Sequence, residues 1–283
     1  MKLSYSGFDI YRTCPLKYKY RYIDNLRNVG YSESQVIGTT IHQAINKLRS
    51  GTVSDALTVV NTAQLPETSI AKLTAVMECY SLLYEGWDIG TSSHQPEKSF
   101  SFNAKYLLNF VNKDSKFHNY SALLEKSQIV GSIDEVAKTN SGKDFYTERK
   151  TTSLDIELDS PYVRKIKIDS QIAFYWIACS SLGMHPEFFL YDITKIPSYR
   201  RKRTESADKY SARVKEKILA NPKKFFRMLK HSITPSELSK SASDIIQTVL
   251  ELDNPIYYRR NTSSCIRSYD YTCEFLQMCI GKE

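Results

Sequence analysis

The sequence predicts an α/β domain, a mixed central sheet flanked by helices, on three observations. Two short apolar runs, Ile129–Val136 and Phe145–Thr147, flank the turn-rich Asn140-Ser141-Gly142-Lys143 and read as a β-hairpin. A long helical stretch follows from about Ile166 to Leu182, with Ala173, Trp176 and Ile177 as its packing face. It leads into the β-rich run Phe188–Ile193, and a helix that joins two strands of one sheet is the crossover unit of a mixed α/β core.

The other elements follow from local signals. Ser6 can cap a helix over Gly7–Thr13, and Pro15 opens a second one. In the second, Lys17, Lys19 and Arg21 alternate with Tyr18, Tyr20 and Tyr22, a mixture of cations and rings suited to single-stranded nucleic acid. On a helix these groups fan around the surface, so some of the tyrosines pack. Val36–Leu48 carries an amphipathic stripe, with Gly38 and His42 four apart on one face. A histidine beside such a stripe is also an ordinary structural residue, unless that face meets the hairpin. Gly51–Ser69 reads as a connecting region with a short helix, and Ile70–Tyr84 as a clear helix. Strand-like material begins at Glu97, while Asn103–Asn119 gives no pattern. Pro222 opens Lys223–Lys230 after a helix near Tyr210–Leu219, and Pro235–Leu252 holds the last helices.

Composition narrows the class. At 283 residues, 41% of them hydrophobic, the chain can build one large domain or two small ones. The start MKLSYSGFDIYRT lacks the apolar run of a signal peptide, and no stretch approaches a membrane span, so a cytoplasmic protein is expected. The six cysteines should then be thiols or metal ligands. Ser198–Lys230 holds twelve Lys/Arg against three acids, so the net charge of +8 sits in that segment. Such a stretch is the footprint of a polyanion site, or in part a solvated helical face. No G-x-x-x-x-G-K-S/T occurs, which excludes a nucleotide-driven motor of that type.

The hairpin carries the chemistry. With an odd-numbered loop centred near Ser141, Asp134 lies opposite Glu148 at a Cβ separation of about 5 Å. A two-residue loop would put the carboxylates on opposite faces unless a bulge restored the phase. Paired carboxylates repel, and a hard divalent cation relieves the repulsion. Lys150 on the same face could hold a water or offset charge on a phosphate, an arrangement suited to metal-assisted phosphodiester hydrolysis. Taken alone, these residues read better as a solvated hairpin face.

Cys265, Cys273 and Cys279 place three thiols close together near one end of the chain, and Cys14 could supply a fourth from the other. Tetrahedral thiolate sites take zinc or an iron–sulfur cluster. No pair of Cys-x2-Cys motifs is present, which favours a cluster over zinc; three unliganded thiols is the remaining reading. Cys79 and Cys179 lie within helical stretches and read as core.

Taken together, the motifs resemble RecB-type exonucleases of the PD-(D/E)XK superfamily. More narrowly, they are similar to those of the iron–sulfur branch, which includes CRISPR-associated exonucleases, the AddB nuclease domain and stand-alone phage proteins. The resemblance rests on YRTCPLKYKYRYI, GTTIHQAI, VGSIDEV, TERKTTS, QIAFYWIA and the C-terminal cysteines, in that order. It implies a single restriction-endonuclease-like domain over 1–283, with a helical insertion at about 50–95. A cluster-binding tail at about 260–283 would join the N-terminal helix at Cys14. His42, Asp134, Glu148 and the Arg149 carbonyl would ligate Mg²⁺ or Mn²⁺, and Lys150 would orient or activate water. Gln171 and Tyr175 would steady Lys150 or contact the DNA backbone. Cys14, Cys265, Cys273 and Cys279 would hold a 4Fe–4S cluster, with zinc as the alternative.

The implied substrate is DNA, cleaved from single-stranded ends, with partners from recombination or CRISPR adaptation. Lys17, Lys19, Arg21, Arg200, Arg201, Lys202 and Arg203 would grip its phosphates. One departure stands out: where family members often have Cys-x2-Cys-x5-Cys, the third residue after Cys265 is Ser268.

Overall fold

The predicted hairpin forms the middle of a six-stranded sheet. In the computed structural model, which describes residues 1–26, 32–84, 91–268 and 271–281, its arms are β3 (Gln128–Thr139) and β4 (Asp144–Thr152). Both arms extend past the apolar runs because other strands pair their far ends. Along one edge of β3 runs antiparallel β2 (Thr91–Asn103). On the other edge, β1 (Lys2–Leu3) pairs in parallel with Gln128 and Ile129, while β4 pairs only from Glu135 to Lys138. Beyond that point β4 follows β5 (Phe188–Lys195) in parallel, and β6 (Phe226–His231) flanks β5 antiparallel. The mixed sheet expected from the sequence is therefore present. Gly131 in β3 marks a close crossing: a Cβ there would lie 2.7 Å from the Phe100 ring of β2.

Helices cover both faces of the sheet. On one side α1 (Tyr5–Thr13), α8 (Ser170–Ser181) and α10 (Pro235–Asp253) bury Phe8, Phe174, Ile177, Ile246 and Val249 with Ile133, Tyr146 and Phe189 of the sheet. On the other side α3 (Glu33–Ser50), α4 (Val53–Asn61), α5 (Glu67–Tyr84) and α9 (Ala207–Ala220) form a second cluster that includes Ile41, Val60, Val76, Val214 and Phe226. Among the described residues no helix is long and apolar enough to cross a membrane.

Several boundaries differ from the sequence reading, each for a local reason. Ser4, not Ser6, caps α1, its hydroxyl accepting the Gly7 N–H. The helix expected over 166–182 is two helices, α7 (Pro161–Ile166) and α8, because the Asp169 side chain accepts the Gln171 N–H and starts a new one. The helical segment assigned to 50–95 ends at Tyr84, and from Thr91 the chain is already β2. That strand is polar because it is an edge strand with mostly exposed residues, which also admits Pro96. After a single turn at Pro222–Lys224, the basic run continues as β6, since β5 presents a free edge for it. A Thr234–Glu237 capping box opens α10 as one continuous helix.

The C-terminal tail folds back on the N-terminal helices, as expected. The Leu16 N–H donates to the Arg259 carbonyl (3.1 Å), and the Asn261 side chain donates to the Thr13 carbonyl (2.7 Å). Glu274 pairs with both Lys17 (3.2 Å) and Arg21 (3.4 Å). Tyr269, one of the aromatic residues between the cysteines, lies outside the described residues.

Candidate active site

The hairpin register decides the geometry. Lys138 pairs with Asp144 and Glu135 with Thr147, so the turn is centred on Ser141 and Asp134 falls opposite Glu148. There the ladder stops. Instead of bonding the β3 main chain, the Arg149 N–H donates to the side-chain Oδ2 of Asp134 at 2.8 Å, and the two strands part. Alternation places Tyr146, Glu148 and Lys150 toward α8, where the Tyr146 hydroxyl donates to the Ile172 carbonyl (2.6 Å). Arg149 points the opposite way, toward α3.

Glu148 is the centre of a short hydrogen-bond circuit. Its Oε1 accepts from Lys150 Nζ (2.9 Å) and from Gln171 Nε2 (2.8 Å), while Lys150 also donates to Gln171 Oε1. The other oxygen, Oε2, is buried with no hydrogen-bond partner among the described residues. Burial pushes the Glu148 carboxyl up to about 7; Lys150 offsets part of the shift and Asp134 adds to it. For Lys150, burial works against the ammonium, but the Glu148 carboxylate outweighs it and the pKa is raised. For Asp134, burial is outweighed by His42 and the Arg149 N–H, and its pKa is lowered. His42, on α3, brings Nδ1 to 3.7 Å from Asp134 Oδ2.

The structure thus brings together His42, Asp134, Glu148, Lys150 and Gln171. Tyr175 lies one helical turn beyond Gln171 and packs against Tyr5, Phe100 and Tyr146, with burial raising its phenol pKa. Three groups escaped the sequence reading. Asp169 caps α8 while accepting the Tyr5 hydroxyl (2.6 Å), which fixes the helix that presents Gln171. The Tyr191 ring lies 5.9 Å from the Lys150 ammonium. Tyr162, largely buried, borders Lys150 and Thr152. An aromatic residue in a strand or after a proline gives no sign of such a role, although Asp169 at a helix start carries an ordinary capping signal.

As placed, no three His, Cys, Asp or Glu groups among the described residues stand close enough to hold a metal. The donor set nevertheless suits a hard divalent cation. Two carboxylates face each other across parted strands, and one has a buried, unsatisfied oxygen.

The tail brings its cysteines toward Cys14 without closing a metal-binding group among the described residues. Cys14 Sγ accepts the Asn261 N–H (3.4 Å), and the Cys273 N–H donates to the Cys265 carbonyl (2.7 Å). Burial, and then the neighbouring thiols including Cys14, raise the pKa values of Cys265 and Cys279. Cys79 and Cys179 are fully buried core thiols.

The predicted phosphate contacts are scattered. Lys17 and Arg21 hold Glu274, and Lys19 pairs with Asp24 (2.6 Å). Arg201 binds Glu67 and the Glu205 carbonyl, leaving Arg200, Lys202 and Arg203 exposed. These last three follow β5, whose Lys195 is in register with Thr152, so they leave the sheet at its Lys150 end.

Comparison with known proteins bears on the fold and the family. The crystal structure of a “Putative exonuclease” from Eubacterium rectale superimposes with a TM-score of 0.50 at 10% identity, covering 99% of this chain and 93% of that one. The structure of SSO0001 shares 12% identity over 85% of each chain, with a TM-score of 0.30. No curated protein matches the sequence. The model of the PD-(D/E)XK nuclease superfamily matches residues 2–280. That match spans nearly the whole chain, including both strands of the carboxylate hairpin, and the protein belongs to the PD-(D/E)XK nuclease superfamily.

Proposed function

We propose that the protein is a Mg²⁺- or Mn²⁺-dependent DNA exonuclease acting on single-stranded ends, of the RecB type. The observation that carries this reading is the meeting of His42, Asp134, Glu148 and Lys150 where β3 and β4 part. His42, Asp134, Glu148 and the Arg149 main chain would hold the metal. When bound, it polarises a phosphoryl oxygen and makes water a better nucleophile at neutral pH.

This chain's residues supply the rest. Glu148 keeps Lys150 as an ammonium, so the lysine acts by orienting water and offsetting charge on the phosphate rather than by taking a proton. Gln171 holds that ammonium in place from α8. Hydrolysis adds water across one P–O bond and leaves a phosphate monoester and a hydroxyl. Arg200, Lys202 and Arg203 are exposed at the same end of the sheet and suit the phosphates of an approaching strand. Partners from recombination or CRISPR adaptation belong to the same reading.

For Cys14, Cys265, Cys273 and Cys279 the reading is a 4Fe–4S cluster that fastens the tail to the N-terminal helix. Its support is the donor set itself: four thiols from both ends of the chain, with Cys14 and Cys273 near enough to Cys265 and Cys279 to help raise the pKa of those two. Zinc would serve the same thiols without colour, so iron analysis and the visible spectrum of anaerobically purified protein separate the two. The nuclease reading is tested with end-labelled single- and double-stranded DNA in Mg²⁺, Mn²⁺ or EDTA. Metal-dependent release of nucleotides from single-stranded ends supports it, and no cleavage under any of these conditions refutes it.

A further inference from the structure

Behind the carboxylates, on the α3 side of the sheet, charged side chains are shut away from water. Glu135 is 0% exposed and Arg149 3%, with Asp192 also buried beside them. Burying ions is unfavourable even when they are paired, and apolar residues of similar volume would serve folding at least as well. The proposed hydrolysis uses none of these side chains. Their connections suggest another role.

Arg149 joins three segments at once. Its main-chain N–H donates to Asp134 Oδ2 (2.8 Å), Nη1 donates to Asn46 Oδ1 (2.6 Å), and Nη2 donates to Glu135. Glu135 also forms an ion pair with Arg49, at 2.9 Å. Asn46 and Arg49 lie four and seven residues after His42 on α3, hence on the same stripe of that helix. One guanidinium therefore ties the histidine's helix to the strand carrying Asp134, while its own backbone holds the Asp134 carboxylate. Asp192, which takes the Tyr80 hydroxyl (2.5 Å), is paired with Arg149 across β4 and β5 and adds a second anion to the patch.

We infer that the Arg149 side chain is a positioning group, which sets His42 against Asp134 through Asn46 and Glu135. The inference rests on the metal-site reading above. Its test compares Asn46→Ala, Arg149→Lys, the double variant and Gln43→Ala, an exposed neighbour on α3 that serves as control. Asn46 is only half-buried, so its truncation spares the core. Mn²⁺ affinity is measured by calorimetry, and thermal unfolding and the Mn²⁺ dependence of single-strand cleavage are followed in parallel. Asn46→Ala should weaken Mn²⁺ binding about 10- to 100-fold, as loss of an outer-shell partner does. The Mn²⁺ needed for half-maximal cleavage should rise equally, with the rate at saturating Mn²⁺ near wild type. Arg149→Lys keeps the charge but loses the fork, and the double variant should be no worse than Arg149→Lys alone. Gln43→Ala should bind as wild type. Unchanged Mn²⁺ affinity in Asn46→Ala, with or without a lower melting temperature, overturns the inference, as do additive losses in the double variant. A wild-type protein that binds no Mn²⁺ removes the metal-site reading itself, and this inference with it.

Discussion

Gln171 donates to Glu148 at 2.8 Å and accepts from Lys150 with its other amide atom, so one side chain from α8 orders both charged groups of β4. Truncation to alanine leaves Lys150 one acceptor short and Glu148 one donor short. Gln171→Ala should lower the turnover of single-stranded DNA by about 10- to 100-fold, the usual cost of losing such support. Its affinity for DNA in EDTA, measured by fluorescence anisotropy, should stay near wild type.

Gly38 lies in the middle of α3, one turn before His42, and a Cβ there would meet nothing within 4 Å. Packing therefore does not require glycine, while helix propensity disfavours it. We expect Gly38→Ala to stabilise the fold by roughly 0.5–1 kcal/mol. If substrate approaches His42 through that open space, the same variant will raise KM for DNA. Calorimetric unfolding and steady-state kinetics on one preparation read both effects.

The Glu148 carboxyl, pushed up to about 7 in the fold from an ordinary 4.5, makes the metal-free protein pH-sensitive. Between those values the folded site keeps a proton that the unfolded chain has released. The stabilising contribution is complete below the ordinary value and is lost as pH rises through about 7. In EDTA the melting temperature should fall across that window, and Glu148→Gln should flatten the fall. Asp134 acts in the other sense and in a more acidic window: its lowered pKa gives stability above the ordinary carboxyl value, lost on acidification.

Cys265 sits where the tail meets Cys14 through the Asn261 turn, with Cys265 Sγ 3.7 Å from the Asn261 carbonyl. If the four thiols hold a cluster, Cys265→Ser should lose iron and visible absorbance. It should also release the tail to limited proteolysis beyond about residue 256, where Ile256 and Tyr257 are already exposed. A variant that keeps both its iron and its protease resistance would contradict the assignment.

How much of this was legible in the sequence differs from element to element. The hairpin was, but its register was open between an odd-numbered and a two-residue loop, and the pairing of Glu135 with Thr147 selects the one that puts Asp134 opposite Glu148. β2 was only in part: strand-like material was visible from Glu97, but the first half is an exposed stretch of edge strand without the apolar alternation that marks one. β6 reads as a basic segment, and only the free edge of β5 makes it a strand. The break before α8 was visible in principle, since Asp169 is an ordinary capping residue. Lys17 and Arg21 suggested phosphate contacts because they alternate with the rings of Tyr18, Tyr20 and Tyr22. Their partner, Glu274, arrives only when the tail folds back. Alternation along the paired strands puts Glu135 and Arg149 on the back face of the hairpin, but their burial depends on where α3 docks.

The central claim is that Asp134, Glu148 and Lys150 form a metal-dependent phosphodiesterase site. The most direct measurement follows end-labelled single-stranded DNA with Mn²⁺, with Mg²⁺ and with EDTA, for wild type and Lys150→Ala. The account predicts nucleotide release by wild type with either metal and none in EDTA. Lys150→Ala should be inactive while still folding and binding DNA. Cleavage by Lys150→Ala at the wild-type rate, or undiminished cleavage in EDTA, would contradict it.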